Sequence, residues 1–492
     1  MNKKWSTLFY IAIVAGLGFV IYWIVIKGHA LQTPALTATQ IQAEKGTETN
    51  NSFRVFTDSF DHNVSGPIAV LLLQIIIIIV FARLFGWLFK KIGQPAVIGE
   101  IVAGIILGPS ILGLFFPGLN LFLFPPTSLG TLQFLSEIGL IFFMFIIGME
   151  LNLKAISKQA YGAVIISHAS IIIPYTLGMG LAYFIYQKYA PAGISFLSFA
   201  LFMGIAMSIT AFPVLARILQ EKGLTRSKLG AMALTCAAAD DLTAWCILAA
   251  VIALVKSGSS ISVLYTIGLA VAFVLIMFKL VRPFLERLSH VYDNKEKKRT
   301  AIIALLFVIL IISSYITSII GIHALFGAFI AGVIMPSSFS FRKIVIDKIE
   351  DVSIILLLPL FFVITGLRTQ VGLLNEGHLW STFGWVLLVA VAGKFGGSTL
   401  AAKIVGQSWK DSLSIGVLMN TRGLMQLIVL NIGYDLGILS PQIFAMMVLM
   451  ALVTTFMTGP VLDLINWAMP ERAAKHESKT AMNAEAEKQT IL

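Results

Sequence analysis

The chain alternates long apolar runs with short segments that are polar or rich in Pro and Gly, the pattern of helices that cross a membrane. A spanning helix needs about 20 mainly apolar residues. Fourteen runs approach or reach that length, and they predict an all-α polytopic membrane protein. The runs lie at 5–26, 67–87, 95–116, 130–150, 160–187, 194–219, 229–255, 261–288, 301–318, 320–335, 352–367, 379–403, 411–433 and 441–465.

The first run has two interpretations. Lys3 and Lys4 precede it, which fits either a retained transmembrane helix or a signal peptide within residues 1–30. Its length favours the helix. In both cases we expect 31–66 to be an extracytoplasmic loop, loosely ordered where Thr, Gln and Asn dominate over 31–64. The membrane domain then covers 67–465 and a short tail covers 466–492.

Charge orients the helices. Hydrophobic residues make up 58% of the chain and charged residues only 12%, about half the share of a soluble protein. The net charge of +11 would suggest nucleic acid in a soluble protein, but here it collects in alternate loops, which are cytoplasmic by the positive-inside rule. We therefore expect an inner (plasma) membrane protein, not a nucleic-acid binder, with a cytoplasmic C-terminus. The basic loops hold Lys90, Lys91, Lys154, Lys158, Arg217, Lys222, Arg226, Lys228, Lys295, Lys297, Lys298, Arg299, Arg342, Lys343, Lys348, Lys403 and Lys410, whereas the opposite loops hold Lys188, Lys256 and Arg368.

Without the first run, thirteen core spans remain, six before 261–288 and six after it. Matching the two halves in order separates each pair of partners by seven spans. Because seven is odd, partners cross the membrane in opposite directions, the layout of inverted six-helix repeats. The pairs are 160–187 with 379–403, 194–219 with 411–433, and 229–255 with 441–465.

One such pair carries polar interruptions at matching positions, which predicts crossed broken helices. Pro213 should break or kink its helix, and Thr210 can satisfy a backbone group freed there. The partner span contains Asn420, Thr421 and Arg422 at mid-membrane. A single Pro kink is often structural, but two matched interruptions favour a transport site.

Two adjacent carboxylates, Asp240 and Asp241, lie near the middle of 229–255. A charge at the bilayer centre costs about 2.5–3.5 kcal/mol even on a mild scale, so we expect this pair to bind a cation and protons. Lys394, among small residues in 379–403, is the predicted partner of one aspartate, either as a fixed counter-ion or as a titrating group.

Three further charged residues lie within apolar spans. We expect Arg422 to stabilise the negative ends of half-helices at the crossing. Glu100 and Glu137 are either gating residues or helix ends near water.

Several kinds of site are missing from the sequence pattern. There is no glycine-rich phosphate loop, the histidines do not cluster at metal-ligand spacing, and we expect no cofactor. The tail is too short for a nucleotide-binding regulatory domain. An intramembrane aspartyl protease needs aspartates on separate helices, whereas adjacent residues of one helix point about 100° apart. We therefore expect a transporter rather than an enzyme.

At several stretches the chain resembles the monovalent cation:proton antiporter 2 family. They are GQPAVIGEIVAGIILGPSILG at 93–113, EIGLIFFMFIIGMEL at 137–151, SITAFPVLARIL at 208–219, AADDLTAW at 238–245, GKFGG at 393–397 and GVLMNTRGLMQLIVLNIG at 416–433. The resemblance implies a homodimer in which a six-helix core domain rises and falls against a dimerisation domain. It also implies that Asp241 carries the cation and protons, that Asp240 pairs with Lys394, and that Thr210 lies beside them at the crossing.

We therefore expect electrogenic exchange of a monovalent cation, Na+ before K+, for protons. A K+/H+ antiporter of the same family, a cation channel and a proton-coupled symporter are the alternatives. Plant members of the family often carry an acidic residue where Gln426 stands, so their selectivity does not transfer to this chain.

Overall fold

The computed structural model describes residues 52–469 except 151–159, 225–226, 258–259, 295–298, 337–345, 347–348 and 375–376, together with Phe19 and Trp23. The predicted first span apart from Phe19 and Trp23, all of 31–51 and the tail beyond 469 lie outside these residues. So do nine of the basic loop residues: Lys154, Lys158, Arg226, Lys295, Lys297, Lys298, Arg342, Lys343 and Lys348. The chain divides into two compact units, residues 1–69 and 70–492.

In the first unit, helix α1 spans Ser52–Val64. The expectation of a loosely ordered loop was therefore wrong for these residues. Phe56 and Phe60, four residues apart, stack with ring centroids 6.1 Å apart. Aromatic side chains at this spacing meet on one face of a helix and stabilise it, a pattern that the polar composition obscured.

Every regular element in the described part of the chain is a helix. The helices of eight or more residues that follow α1 are α2 (Pro67–Lys91), α3 (Ala96–Leu107), α4 (Pro126–Glu150), α5 (Ala160–Tyr189), α6 (Phe196–Ser208), α7 (Phe212–Glu221), α8 (Lys228–Ser257), α9 (Ser260–Ile276), α10 (Arg282–Asn294), α11 (Arg299–Ile320), α12 (Ala324–Val333), α13 (Leu358–Arg368), α14 (Gly377–Val391), α15 (Gly397–Ile404), α16 (Trp409–Met419), α17 (Leu424–Asp435) and α18 (Pro441–Ala468). Two shorter helices, Leu112–Phe115 and Pro117–Leu123, lie between α3 and α4. Short π-helical turns join α9 to α10 and α14 to α15, and another precedes α13.

Ten of the described helical segments are long and apolar enough to cross a membrane, or eleven when the bent pair α16–α17 counts as one span. The predicted spans 194–219 and 320–335 coincide with shorter apolar helices, α6 and α12. The prediction of an all-helical polytopic protein is therefore confirmed at this level. The count of thirteen core spans and the inverted repeat remain predictions.

Close packing at glycines distinguishes two bundles among the helices of the second unit, and α9 and α10 are assigned to neither. We use the term scaffold bundle for α2, α3, α4, α11, α12 and α13, and site bundle for α5–α8 with α14–α18. In the scaffold bundle, a Cβ atom added to Gly104 of α3 would lie 2.2 Å from the Val363 carbonyl oxygen of α13. In the site bundle, one added to Gly416 of α16 would lie 2.7 Å from the carbonyl oxygen of Phe395. Among the described glycines, approaches this close stay within one bundle.

Candidate functional site

The first broken helix lies in the site bundle, between α6 and α7. Ile209 is extended, with ψ 134°, and the helix resumes at Phe212. Pro213 therefore lies in the first turn of α7, where its missing N–H would have no helical partner. The expectation that the helix breaks at Pro213 needs correction, because the interruption precedes the proline.

The second broken helix crosses the first. Helices α16 and α17 are bent by 41° at the gap between them. The Ala211 N–H donates to the carbonyl of Thr421 at 3.1 Å, and Thr210 Oγ1 lies 3.2 Å from the Met419 carbonyl oxygen. A Cβ atom on Gly423 would lie 2.6 Å from a methyl carbon of Val214. The two interruptions predicted from sequence are thus in direct contact.

Buried cations meet the C-terminal end of α6. Arg422 is fully buried, and its Nη1 donates to the Ala206 carbonyl at 3.1 Å and to Gln426 Oε1 at 3.1 Å. Lys394 Nζ donates to the carbonyl of Ser208, the last residue of α6. Carbonyl groups at a helix C-terminus carry partial negative charge, so both cations stabilise this half-helix. Arg422 therefore lies at the C-terminal end of a half-helix, and its role there stays a prediction.

The position of Lys394 depends on a π turn and a proline. The residue lies in the turn Ala392–Gly396, where Gly393 approaches Pro174 of α5 so closely that an added Cβ would lie 2.8 Å from the proline Cα. Because Pro174 has no N–H, the carbonyl of Ser170, four residues earlier, loses its helical partner. Lys394 Nζ donates to that carbonyl at 2.8 Å.

Asp240 is surrounded by donors. Ser167 Oγ donates to its Oδ1 at 2.6 Å. Its Oδ2 accepts from Ser170 Oγ at 2.5 Å, from Thr210 Oγ1 at 2.7 Å and from Lys394 Nζ at 3.1 Å. The two serines lie three residues apart on α5 and were missed by sequence reasoning. With these partners, Asp240 forms a fully buried ion pair with Lys394.

Asp241 contrasts with its neighbour. It is 2% exposed, and its Oδ1 has no hydrogen-bond partner among the described residues. The backbone N–H of Phe212, at the start of α7, hydrogen-bonds its carboxylate, which therefore faces the positive end of a half-helix. Buried polar atoms are normally paired, so a buried carboxylate oxygen without a partner is available to a further ligand. Asn420 Oδ1, in the second break, is also buried without a partner among these residues.

The other predicted candidates lie elsewhere. The carboxylate of Glu100 lies against Gly86 of α2, whose added Cβ would be 3.7 Å from Oε1. Glu137 accepts from Gln133 Nε2 at 3.0 Å, in a separate cluster around Arg368. The described residues contain no group of three or more His, Cys, Asp or Glu that could hold a metal ion.

The sequence matches known transporters over most of its length. The family described as sodium/hydrogen exchanger, transmembrane, matches residues 76–467. The chain is 42% identical over 398 residues to the Na(+)/H(+) antiporter NhaS4 of Synechocystis sp., covering 81% of this chain and 97% of that protein. It is 42% identical over 393 residues to cation/H(+) antiporter 17 of Arabidopsis thaliana, covering 80% of this chain and 48% of the plant protein. It is 35% identical over 416 residues to K(+)/H(+) antiporter 1 of Saccharomyces cerevisiae, covering 82% of this chain and 47% of the yeast protein.

The chain therefore spans nearly all of the cyanobacterial relative and about half the length of the plant and yeast relatives. Its fold is similar to that of the sodium proton antiporter MjNhaP1 from Methanocaldococcus jannaschii at pH 8, with a TM-score of 0.61 and 16% identity over 81% of this chain and 97% of that one. The chain belongs to the sodium/hydrogen exchanger family, a family of monovalent cation:proton antiporters.

Proposed function

We propose that this protein exchanges a monovalent cation, Na+ before K+, for protons, and that Asp241 carries both. The observation that supports this most directly is the contrast between the two aspartates. Asp240 is held by several donors, whereas Asp241 has a buried oxygen without a partner in the described residues. Hard cations take oxygen ligands, and a carboxylate oxygen with no other bond is the ligand that such a cation needs.

The exchange follows from competition at one carboxylate. Asp241 binds either the cation or a proton, because protonation removes the charge that attracts the cation. Alternating exposure of that carboxylate to the two sides then couples the two fluxes. The proton gradient drives the cation outward. The helix ends at the two breaks carry partial charges. These can stabilise the Asp241 site as its charge changes, without an additional charged side chain.

Lys394 determines the stoichiometry in this proposal. If it stays charged, only Asp241 exchanges its ligand and transport is electroneutral. If cation binding also displaces its proton, more protons than cations move and transport is electrogenic. The hydroxyls of Ser167, Ser170 and Thr210 would still stabilise an ionised Asp240 beside a neutral lysine. This supports a titrating Lys394 and electrogenic exchange.

The membrane arrangement is part of the proposal. Thirteen core helices in inverted six-helix repeats would form residues 67–465, as a homodimer in the inner (plasma) membrane. Residues 1–30 would be a helix or signal peptide, 31–66 would lie outside, and the tail 466–492 would be cytoplasmic. The crossing of two interrupted helices, one from each half, supports the repeat. The basic loops at alternate helix connections support the orientation.

The test is cation-dependent proton movement in liposomes that contain the purified protein, with Na+, K+ and Li+ compared. Addition of the transported cation should dissipate an imposed pH gradient, with Na+ most effective. Apparent cation affinity should weaken by roughly tenfold per pH unit once protons occupy the carboxylate, with little change in maximal rate. A cation affinity that does not depend on pH would contradict the shared site. Cation flux without proton movement would favour a channel. Movement of the cation and the proton in the same direction would favour a symporter.

A stronger response to K+ would favour the K+/H+ alternative. The yeast relative, a K(+)/H(+) antiporter by name, is the observation that keeps this reading open.

A further inference from the structure

A second charged cluster surrounds Arg368, the last residue of α13. Its Nη1 lies 3.0 Å from Asp435 Oδ1 and donates to Asn431 Oδ1 at 2.8 Å. Its Nη2 donates to Gln133 Oε1 at 2.6 Å. The guanidinium also lies over the ring of Tyr434, 5.6 Å from the centroid. Arg368 is therefore held by hydrogen bonds and by its charge, and not by the close backbone packing seen at the glycines.

These contacts join the two bundles. Arg368 and Gln133 belong to the scaffold bundle, on α13 and α4, whereas Asn431 and Asp435 belong to the site bundle, on α17. Asn431 Nδ2 adds a hydrogen bond to Thr365 of α13 at 3.0 Å. Gln133 Nε2 adds one to Asp435 at 3.2 Å. The cluster therefore bridges surfaces that the close glycine contacts leave separate.

The cluster is placed to control the site through one helix. Helix α17 begins at the crossing, just after Gly423, and ends at Asp435. Twelve residues of helix separate these two points, about 18 Å. Both α13 and α17 end here on the side opposite the basic loops. A bond that holds the end of α17 to α13 thus limits movement of the site bundle at this side.

Water can reach the cluster, so its bonds can open. The Arg368 and Asp435 side chains are 21% and 41% exposed. They border a cavity of about 30 Å³ that Glu137, His323 and Ile432 also line. Partly exposed ion pairs contribute modestly to stability, which suits a contact that forms and breaks in each cycle. Glu137, bound by Gln133, offers Arg368 a second carboxylate nearby once Asp435 moves away.

We propose that Arg368 is a positioning residue for exchange. Bound to Asp435 and Asn431, it keeps the route to Asp241 closed on the side opposite the basic loops, and its release opens that route. This inference rests on the proposed exchange cycle, because it assigns one of the two closed states of that cycle to a specific ion pair.

The experiment measures access to this interface directly. The substitution Ile432→Cys, at a residue that lines the cavity, is made in the full-length protein after Cys236→Ala and Cys246→Ala have removed the two native thiols. A membrane-impermeant maleimide is then applied from the side opposite the basic loops. Arg368→Gln and Asp435→Asn should each raise the labelling rate roughly fivefold. The double variant Arg368→Asp/Asp435→Arg should return it to near the starting rate.

The matched control is Lys222→Gln. Lys222, directly after α7, pairs with Asp463 of α18 at 2.6 Å; this ion pair is also partly exposed but does not join the two bundles. Its removal should leave the labelling rate unchanged. Unchanged labelling in both Arg368→Gln and Asp435→Asn would overturn the inference. An equal rise in Lys222→Gln would also overturn it, because any lost ion pair would then loosen the fold. Failure of the proposed function is seen separately, as wild-type liposomes that do not exchange cations for protons.

Discussion

Different interactions stabilise the interior of the scaffold bundle and the interior of the site bundle. In the scaffold bundle, backbone meets backbone, as at Gly148, where an added Cβ would lie 2.2 Å from the Phe329 carbonyl oxygen. In the site bundle, glycine contacts surround a centre made of fully buried charges, Asp240, Lys394 and Arg422. Backbone contacts of this kind carry no titratable group, so binding of a proton or a cation does not change them. The site bundle can respond to a proton or a cation, because buried charged side chains are among the groups that stabilise it.

The sharpest test of this comparison is Asp241→Asn, for which exchange should fall to background. The amide keeps the size of the side chain but cannot alternate between a charged and a neutral form. The protein should still fold, since Asp241 Oδ1 has no hydrogen bond to lose among the described residues. Cation-induced proton movement in liposomes measures the first effect and size-exclusion chromatography the second.

Asp463→Asn is the control, a carboxylate of the same bundle whose side chain is 60% exposed. It should retain exchange. Near wild-type exchange by a well-folded Asp241→Asn protein would remove Asp241 from the role of carrier.

A smaller effect is expected when the scaffold bundle is overpacked. Gly104→Ala places a Cβ against the backbone of α13, at 2.2 Å from the Val363 oxygen, so the helices must move apart. Overpacking of this kind costs about 1–3 kcal/mol of unfolding free energy. The cation affinity of the folded protein should not change. Thermal unfolding in detergent measures the loss.

Gly384→Ala in α14 serves as the control, because nothing lies within 4 Å of its added Cβ. It should leave the melting temperature equal or higher. A larger loss in the free energy of cation binding than in the free energy of unfolding for Gly104→Ala would contradict this comparison. The scaffold bundle would then contribute to the cation site.

The smallest effect concerns the voltage response. A potential of 100 mV is worth about 2.3 kcal/mol for each net charge moved, so an electrogenic wild type should change its rate severalfold when a potential is imposed on liposomes. Lys394→Gln should reduce that sensitivity, because the titrating ammonium is gone. Lys403→Gln, on α15 and half-buried, should keep it. A wild-type rate indifferent to potential would make Lys394 a fixed counter-ion and the exchange electroneutral.

Much of this arrangement could be predicted from sequence. Membrane helices appear as long apolar runs, and charged residues are rare within them because charge is costly in the bilayer. Long apolar runs predicted the helices, and the scarcity of other intramembrane charges predicted that Lys394 pairs with one of the two aspartates. That the partner is Asp240 was implied by the family resemblance and is seen in the structure. Ser167 and Ser170 were missed because serine is common in membrane helices, and only the fold brings them to Asp240. The exact position of the first break was also missed, since a proline is tolerated in the first turn of α7.

Arg368 illustrates a different limit. From sequence it was one of few cations in otherwise bare loops, and its position at a helix end suggested nothing more. Its partners Gln133 and Asp435 lie 235 and 67 positions away along the chain, so no local pattern reports the contact. The contact between these side chains is visible only in the structure, where the two bundles lie side by side.

The π turn at Ala392–Gly396 has a consequence for how this gene can vary. A π turn is equivalent to an α-helix with one residue inserted, so loss of a single codon there would restore a continuous helix. Everything beyond the deletion would then rotate by about 100° relative to what precedes it. Lys394 and the helix α15 could no longer both keep their present neighbours. The length of this stretch is therefore constrained as well as the identity of Lys394 and Gly393, and a gap placed here in an alignment would pair the wrong positions.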